Sequence, residues 1–216
     1  MKIKAVIFDM DGTIINSEEM HTKTIQEVVE EEFGVKLSAE EIEKYVGFNY
    51  AKKLEKIFGD KYEKSEYQKL RFMIRNKTLK NTGLIKRVEN AKEVIEEMKK
   101  NFEIALVTAS SREQAGKFLE AVDFKKYFDL RIASDDVKET KPSPECYLLA
   151  LKELGLKPKE CLVLEDSEPG IKAAKEAGTY CIGIRHKYNS NQDFSRVDKI
   201  VDDIGEVDLE LIKSLQ

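Results

Sequence analysis

Polar side chains stand at the ends of three short apolar runs in this 216-residue sequence, at residues 3–8, 103–108 and 161–165. Ligands of open parallel sheets bind beyond the carboxyl ends of the strands, so polar residues there are the first candidates for a site. If the runs are parallel strands, these side chains meet at one edge of a sheet. The positions are Asp9 and Asp11, then Thr108, Ala109 and Ser110, then Glu165 and Asp166.

Carboxylates dominate this set, and their number predicts a magnesium site. Up to four carboxylates gathered at one place repel one another unless a cation joins them. Mg²⁺ suits a few carboxylates completed by water and a substrate phosphate, whereas histidine or thiolate ligand sets for zinc are absent from the sequence. Lys141, which stands before Pro142 and Pro144, is the fixed cation available to bind an entering phosphate and stabilise charge on it.

The chemistry predicted for this set is phosphoryl transfer through a covalent intermediate. Asp9 would attack phosphorus to form an aspartyl-phosphate. Asp11 would protonate the leaving alcohol and later deprotonate the attacking water. Thr108 and Ser110, with backbone N–H groups around Ala109, would bind the nonbridging phosphoryl oxygens.

Apolar runs rich in β-branched residues alternate with helical patterns along most of the chain. The runs fit strands that are buried on both faces, and two more follow at 179–184 and, more weakly, 199–201. Apolar residues at three- and four-residue spacing predict helices at 91–100, 113–122, 144–154 and 168–177. This alternation predicts an α/β fold with a parallel sheet.

Residues 17–81 break the alternation. They contain no convincing strand and carry amphipathic helical patterns at 17–33, 39–45, 51–58 and 63–79. Because this block falls between the first strand and its next partner, it predicts a helical subdomain inserted into the core. The expected domains are the α/β core, residues 1–16 and 82–216, and the helical insertion, residues 17–81.

Composition excludes several classes of protein. The 37 basic and 41 acidic residues nearly cancel to a net charge of -4, so nonspecific nucleic-acid binding lacks its electrostatic basis. No apolar stretch approaches the ~18 residues of a membrane span, and no signal-peptide core develops before Asp9. Three cysteines without CxxC spacing predict buried thiols in a reducing compartment. We therefore expect a cytoplasmic protein without nucleic-acid or membrane partners, and a monomer or weak dimer.

The order of the motifs resembles the haloacid dehalogenase superfamily over nearly the whole chain. The resemblance is carried by Asp9-Met10-Asp11-Gly12-Thr13, Thr108, Lys141-Pro142 and Glu165-Asp166, with Gly170 four residues further on. It implies a Rossmann-like core and Mg²⁺ held by Asp9, the backbone carbonyl of Asp11, and Asp166. Glu165 would assist at or near the metal. The resemblance also implies a mobile helical cap that closes over the phosphate ester and selects the leaving group.

Within that superfamily, the sequence resembles the sugar-phosphate phosphatases and β-phosphoglucomutases. Residues 16–18 through His21 resemble their hinge motif, which implies that His21 lies near the acid/base aspartate and helps to admit substrate. Two departures weaken recognition of a second phosphate, since Tyr50 stands where the mutases have an arginine and Arg112-Glu113 replaces a Lys-Asn pair. Four basic residues of the insertion could compensate, namely Lys52, Lys53, Arg75 and Lys77.

These observations predict a Mg²⁺-dependent phosphatase that acts on a small phosphorylated metabolite, in particular a sugar phosphate. A phosphosugar mutase of the β-phosphoglucomutase type is the first alternative, because it would return the phosphoryl group to a sugar-phosphate intermediate. A dehalogenase would have no use for Asp11 as acid/base or for a metal. A phospho-accepting receiver module is disfavoured by the helical insertion and by Glu165-Asp166. His186, after the run at 179–184, is expected to face solvent.

Overall fold

The computed structural model describes residues 2–43, 55–57 and 67–215. The chain divides into two compact units. One is formed by Met1–Asn16 together with Lys86–Gln216, and the other by Ser17–Ile85. The first unit contains the strands, and the described residues of the second contain helices and no strand.

Eight strands belong to the first unit: β1 (Ala5–Phe8), β2 (Ile15–Asn16), β3 (Lys86–Arg87), β4 (Glu103–Val107), β5 (Leu130–Ile132), β6 (Cys161–Glu165), β7 (Tyr180–Ile184) and β8 (Lys199–Val201). Six of them form a parallel sheet in the order β5-β4-β1-β6-β7-β8. The other two, β2 and β3, pair as a short antiparallel ribbon.

β1 lies at the centre of the sheet and explains why the polar strand ends meet. Val6 pairs with Ile104 of β4 on one side and with Leu162 of β6 on the other. All four residues of β1 are buried, and β-branched and aliphatic residues suit a strand covered on both faces. Burial of each such large apolar side chain stabilises the fold by about 1.5–3 kcal/mol. The parallel register therefore brings the carboxyl ends of β1, β4 and β6 to one edge.

The helical unit has its own apolar cluster. Its helices are α1 (Glu18–Phe33), α2 (Ala39–Glu43) and α3 (Tyr67–Thr78). The buried residues of the cluster are Ile25, Val28, Val29, Ile42, Leu70 and Ile74. The predicted helices at 39–45, 51–58 and 63–79 extend outside the described residues, which include 39–43, 55–57 and 67–79 of them.

The helical unit runs to Ile85, four residues beyond the boundary expected at residue 81. Asn81 Nδ2 donates to Thr24 Oγ1 at 3.2 Å and to Glu27 Oε2 at 3.0 Å. A 3-10 turn, Thr82–Leu84, follows directly. These bonds tie the segment after α3 to α1, and such a tertiary contact cannot be inferred from local spacing.

Five helices accompany the sheet in the first unit, and their buried faces follow from amphipathic spacing. They are α4 (Ala91–Asn101), α5 (Arg112–Ala121), α6 (Glu145–Leu154), α7 (Glu168–Glu176) and α8 (Leu209–Ser214). In α4, for example, the buried residues are Ala91, Val94, Ile95 and Met98. Among the described residues, no helix is both long enough and apolar enough to cross a bilayer.

The prediction of an α/β fold with a parallel sheet is confirmed, and the weak run at 199–201 is strand β8. The three cysteines are buried free thiols, as expected. The predictions omit β5 because it has three residues with charged Arg131 at its centre. They also omit the ribbon of β2 and β3, whose two-residue strands are too short to show a pattern.

Candidate active site

Asp9 and Asp11 lie on the segment that follows β1, where Gly12 permits a tight turn. The N–H of Asp9 donates to the carbonyl of Leu164 at 3.0 Å, so the backbone hydrogen bonding between β1 and β6 extends to Asp9. Gly12 has a φ of 80°, which strains any residue with a side chain. A Cβ on Gly12 would also lie 2.1 Å from Oδ2 of Asp166. The close approach of these two segments therefore requires glycine.

Lys141 joins carboxylates from two different strand ends. Its Nζ donates to Oδ1 of Asp9 and to Oε1 of Glu165, each at 2.5 Å. It also donates to the carbonyl of Val107, at the end of β4, at 3.2 Å. The side chain of Lys141 is 6% exposed, that of Asp9 is 9% exposed and that of Glu165 is 0% exposed. Charge-assisted bonds of this kind are strong when they are shielded from water, so Lys141 fixes the position of Asp9.

Glu165 is the most heavily hydrogen-bonded carboxylate of the site. Its Oε1 accepts from Lys141 and, at 2.9 Å, from the hydroxyl of Tyr147 on α6. Its Oε2 accepts from the N–H of Asp166 at 3.1 Å, and from the N–H and Oγ of Ser167 at 3.0 and 2.9 Å. Both oxygens therefore serve to hold neighbouring groups of the protein, Lys141 in particular.

Asp166 follows β6 and is held by a loop that follows β7. Its Oδ2 lies 2.9 Å from Nε2 of His186. Its backbone carbonyl accepts from Nδ2 of Asn189 at 2.8 Å. His186 was expected to face solvent, and that expectation is wrong, because its side chain is only 26% exposed and contacts Asp166. The carboxylate and the backbone of Asp166 are thus both held by one loop.

Asp11 is joined to the segment after β4. The hydroxyl of Ser110 donates to Oδ2 of Asp11 at 3.2 Å. The N–H of Ser110 in turn donates to Oγ1 of Thr108 at 3.0 Å, and Thr108 itself is buried. Ala109, between them, is exposed. The Ser110 hydroxyl therefore lies beside the second carboxylate of the Asp-x-Asp pair, and the Thr108 hydroxyl holds the backbone of Ser110.

The pKa values of the site are set by burial, by the ammonium group of Lys141 and by the neighbouring carboxylates. Burial raises the pKa of Asp9 well above that of an ordinary carboxyl; Lys141 opposes the shift, and Glu165 and Asp166 add to it. Burial likewise raises the pKa of Asp166, with a further contribution from Glu165. For Lys141, burial acts to lower the pKa, but the carboxylates of Asp9 and Glu165 outweigh it and hold the pKa above its usual range.

The donor set fits a hard divalent cation. Asp9, Glu165 and Asp166 each offer a carboxylate oxygen, and these oxygens lie within 4.8 Å of one another. Three carboxylates against the single charge of Lys141 leave two negative charges if all are ionised. An ion with two positive charges and a preference for oxygen ligands would balance them. Because Glu165 already accepts from protein groups at both oxygens, Asp9 and Asp166 are the better ligands.

The structure brings together eight of the nine predicted site residues in the first unit. They are Asp9, Asp11, Thr108, Ala109, Ser110, Lys141, Glu165 and Asp166. The ninth, His21, lies on α1 in the helical unit, and its N–H donates to the carbonyl of Ser17 at 2.9 Å. Tyr50, Lys52 and Lys53 lie outside the described residues. The Arg112 side chain contacts Asp136, and the backbone N–H of Arg112 donates to Oδ2 of Asp135 at 2.8 Å.

Sequence reasoning missed four residues that hold Glu165 and Asp166, namely Tyr147, Ser167, His186 and Asn189. One available signal was position, since His186 follows the end of β7 just as Asp166 follows β6. Tyr147 gave no such signal, because an aromatic residue on an amphipathic helix is a core residue by default. Its buried hydroxyl needs a partner, and only the fold identifies that partner as Glu165.

The fold and the site define a class of hydrolase, and comparison with known proteins agrees. Residues 6–184 match the family described as haloacid dehalogenase-like hydrolase. The chain belongs to that family, so the resemblance predicted from its motifs is confirmed, as is the prediction of an enzyme.

Two of the relatives are named as phosphatases, and a solved structure of a third protein is similar to this chain. The chain is 30% identical to the phosphorylated carbohydrates phosphatase of Thermotoga maritima, over 88% of this chain and 89% of that protein. It is 32% identical to the phosphoglycolate phosphatase of Aquifex aeolicus, over 82% of each chain. A crystal structure of mutant CbbY from Rhodobacter sphaeroides, in complex with xylulose-(1,5)bisphosphate, superimposes with a TM-score of 0.80 at 25% identity, covering 94% of this chain and 96% of that one.

Proposed function

We propose that this protein is a Mg²⁺-dependent phosphatase that hydrolyses a small sugar phosphate through a phosphorylated Asp9. The observation that carries the proposal is the buried contact of Lys141 with Asp9 and Glu165, beside the carboxylate of Asp166. A buried nucleophile next to one ammonium group and a second carboxylate is suited to in-line attack on an anionic phosphorus.

Asp9 is the nucleophile in this proposal. Lys141 bonds to its Oδ1, so Oδ2 is the oxygen that forms the new bond to phosphorus while the P–O bond of the ester breaks. The two electrons of that bond leave with the alcohol oxygen, which needs a proton. In the second step, water attacks the aspartyl-phosphate, the bond from Asp9 to phosphorus breaks, and inorganic phosphate is released.

Asp11 supplies the proton and takes it back from the attacking water. It stands two residues after the nucleophile, and Ser110 donates to its Oδ2, a bond that orients the carboxyl group for proton exchange with the leaving alcohol. Thr108, Ala109 and Ser110 surround the place where the phosphoryl oxygens would lie. Lys141 would move part of its hydrogen bonding from Asp9 to the transferred group as charge develops there.

Asp9, Asp166 and the backbone carbonyl of Asp11 would hold Mg²⁺, with Glu165 positioning Lys141 nearby. When bound, the ion offsets the charge of the phosphoryl oxygens and makes phosphorus more open to attack. The protein residues orient the substrate and transfer the proton.

A sugar phosphate is proposed as substrate because of the relatives. The Thermotoga maritima relative is named for phosphorylated carbohydrates, and the Rhodobacter sphaeroides structure contains a sugar bisphosphate. The helical unit, with His21 on α1, would act as a cap that admits the substrate and selects its alcohol. A small phosphorylated metabolite is then the main partner of this protein.

A screen of phosphate esters, with and without Mg²⁺, tests the proposal. It should include hexose and pentose phosphates, phosphoglycolate, nucleotides and pyrophosphate, with inorganic phosphate as the readout. Asp9→Asn should abolish release, by a factor of at least about 10³, since residues that supply the nucleophile dominate turnover. Asp129→Asn is the matched control, because the Asp129 side chain is 96% exposed and pairs with Lys99 at 3.5 Å. Full activity of Asp9→Asn would refute the assignment.

A phosphosugar mutase is the second candidate, favoured by the likeness to a structure that binds a bisphosphate. It would form glucose 6-phosphate from β-glucose 1-phosphate, would depend on glucose 1,6-bisphosphate, and would release little phosphate. Hydrolysis that exceeds isomerisation under these conditions would exclude it.

A further inference from the structure

The loop after β7 makes two hydrogen bonds to Asp166, one to its carboxylate from His186 and one to its backbone carbonyl from Asn189. We propose that His186 is a positioning residue that turns the Asp166 carboxylate toward a bound divalent cation. The inference rests on the proposed function, because it needs Asp166 to be a metal ligand. His186 itself acts through Asp166 and does not touch the metal.

Hydrogen bonds around the ring determine which nitrogen carries the proton. The N–H of Tyr188 donates to Nδ1 of His186 at 3.2 Å, so Nδ1 uses its lone pair. In the neutral ring the proton is then on Nε2, which donates to Oδ2 of Asp166 at 2.9 Å. A protonated Nε2 has no lone pair for a metal, and this arrangement therefore makes His186 a donor to the ligand.

Asn189 is hydrogen-bonded to the backbone of both His186 and Asp166. It is 1% exposed, and its Nδ2 donates to the carbonyl of Asp166 at 2.8 Å and to that of Ile184 at 2.9 Å. Its Oδ1 accepts from the N–H of His186 at 2.9 Å. The backbone of the ligand and the backbone of the imidazole are therefore fixed by the same buried amide.

Gly12 closes the other side of the Asp166 carboxylate. A Cβ built on Gly12 would lie 2.1 Å from Oδ2 of Asp166 and 3.1 Å from Nε2 of His186. The carboxylate is thus confined between the Gly12 backbone and the imidazole. With Oδ2 held by His186, Oδ1 is the oxygen left to face the cation beside Asp9.

Hydrogen bonds to a metal ligand commonly contribute about 10–100-fold to metal affinity. The test measures binding of Mn²⁺ alone, from the loss of the free-ion EPR signal, with Mg²⁺ as competitor and no substrate present. His186→Phe keeps a ring of similar size and loses the donor. His186→Gln places an amide N–H at about the reach of Nε2. Arg185→Gln is the matched control, since that side chain is exposed and pairs with Asp202.

We expect His186→Phe to bind Mn²⁺ about 10–100-fold more weakly than the wild type. His186→Gln should recover affinity to within about threefold, and Arg185→Gln should bind like the wild type. A purely structural role would not give rescue by the amide. If His186→Phe fails to fold by circular dichroism, His186→Asn replaces it, because the shorter amide cannot reach Asp166.

Two results would overturn the inference while leaving the proposed function intact. One is a Mn²⁺ affinity of His186→Phe equal to that of the wild type. The other is a loss of Mn²⁺ affinity in His186→Gln as large as that in His186→Phe. A wild-type protein that binds neither Mn²⁺ nor Mg²⁺ would instead remove the metal site, and with it both the proposed function and this inference.

Discussion

Lys141 contacts two carboxylates, and this single ammonium explains how Asp9 and Glu165 can both be buried. Removing a charge of that kind from water is costly unless it is paired and hydrogen-bonded. Glu165 meets this condition fully, because both of its oxygens accept hydrogen bonds from protein donors. Asp9 and Asp166 meet it in part, which is why burial raises the pKa of both. A bound divalent cation would supply the positive charge that these two carboxylates lack.

Gly12→Ala tests the close approach of Gly12 to Asp166. Its Cβ would overlap Oδ2 of Asp166, so the carboxylate must move away from the metal position. We expect activity to fall by at least about 10²-fold, as small misplacements in a catalytic site can do, and the Mg²⁺ dependence to weaken. Steady-state kinetics over a Mg²⁺ series measure both effects.

Gly155→Ala is the control for this prediction. Gly155 also has positive φ, at 65°, and has no atom within 4 Å of its Cβ position. Both variants should therefore lose stability from backbone strain, by roughly 1–3 kcal/mol. If Gly12→Ala kept the activity of Gly155→Ala, the overlap with Asp166 would have no catalytic consequence, and the placement of Asp166 would be wrong.

The elements that carry the site differ in how far local sequence specifies them. β1, β4 and β6 are continuous apolar runs, and polar residues at their ends identified Asp9, Thr108 and Asp166. The loop after β7 has no periodic pattern, so the position of His186 after a strand end is a signal for the site but does not indicate that its side chain turns inward. That direction depends on Asn189, which bonds two carbonyls from different segments.

Helix α6 delivers Tyr147 to Glu165, and Tyr147→Phe tests that contact. The variant loses the hydroxyl that donates to Oε1 of Glu165 at 2.9 Å and keeps the ring. Hydrogen bonds to charged groups contribute about 1.5–3 kcal/mol, so unfolding free energy should fall by that amount. Turnover should fall as well, by about 10-fold, because Glu165 positions Lys141.

Urea unfolding and phosphate release measure the two effects of Tyr147→Phe. Tyr180→Phe is the control, since Tyr180 is partly exposed and its ring contacts Lys159. Equal stability of Tyr147→Phe and the wild type would show that the hydroxyl does not support the Glu165 network.

For the complete fold, the sequence predicted the α/β class, the parallel sheet and the edge of the sheet at which the acidic residues lie. It could not predict the contacts that cross from one segment to another. The bonds of Tyr147 and Asn189 belong to this group, as do those between Asn81 and α1. Each joins residues that only the fold brings together, so their partners have no local signature.

The charge imbalance of the site predicts that Mg²⁺ stabilises the whole fold. The pKa of Asp166 is raised in the folded state. Its neutral form therefore favours folding at low pH, and this contribution to stability is lost as the pH rises through the raised pKa. Above it, without metal, the carboxylates repel one another. Mg²⁺ at 100 times its dissociation constant would add about 2.7 kcal/mol, which corresponds to about 5–10 °C in melting temperature for a chain of this size.

Asp166→Asn separates this effect from general salt stabilisation. In EDTA at pH 8 the variant should melt no lower than the wild type, because one repelling charge is gone, and Mg²⁺ should not raise its melting temperature. Asp129→Asn should respond to Mg²⁺ like the wild type. The same Mg²⁺ shift in all three proteins, measured by differential scanning fluorimetry, would contradict a metal site at Asp166.

Direct detection of the phosphorylated residue tests whether Asp9 is the nucleophile. The enzyme is quenched with acid during turnover of its best substrate in Mg²⁺, reduced with borohydride and digested with trypsin, and the peptide of residues 5–23 is sequenced by mass spectrometry. We expect reduction of an acyl phosphate to homoserine at Asp9, and none in Asp9→Asn. Reduction at another residue, or turnover with no reducible acyl phosphate at Asp9, would contradict nucleophilic catalysis by this aspartate.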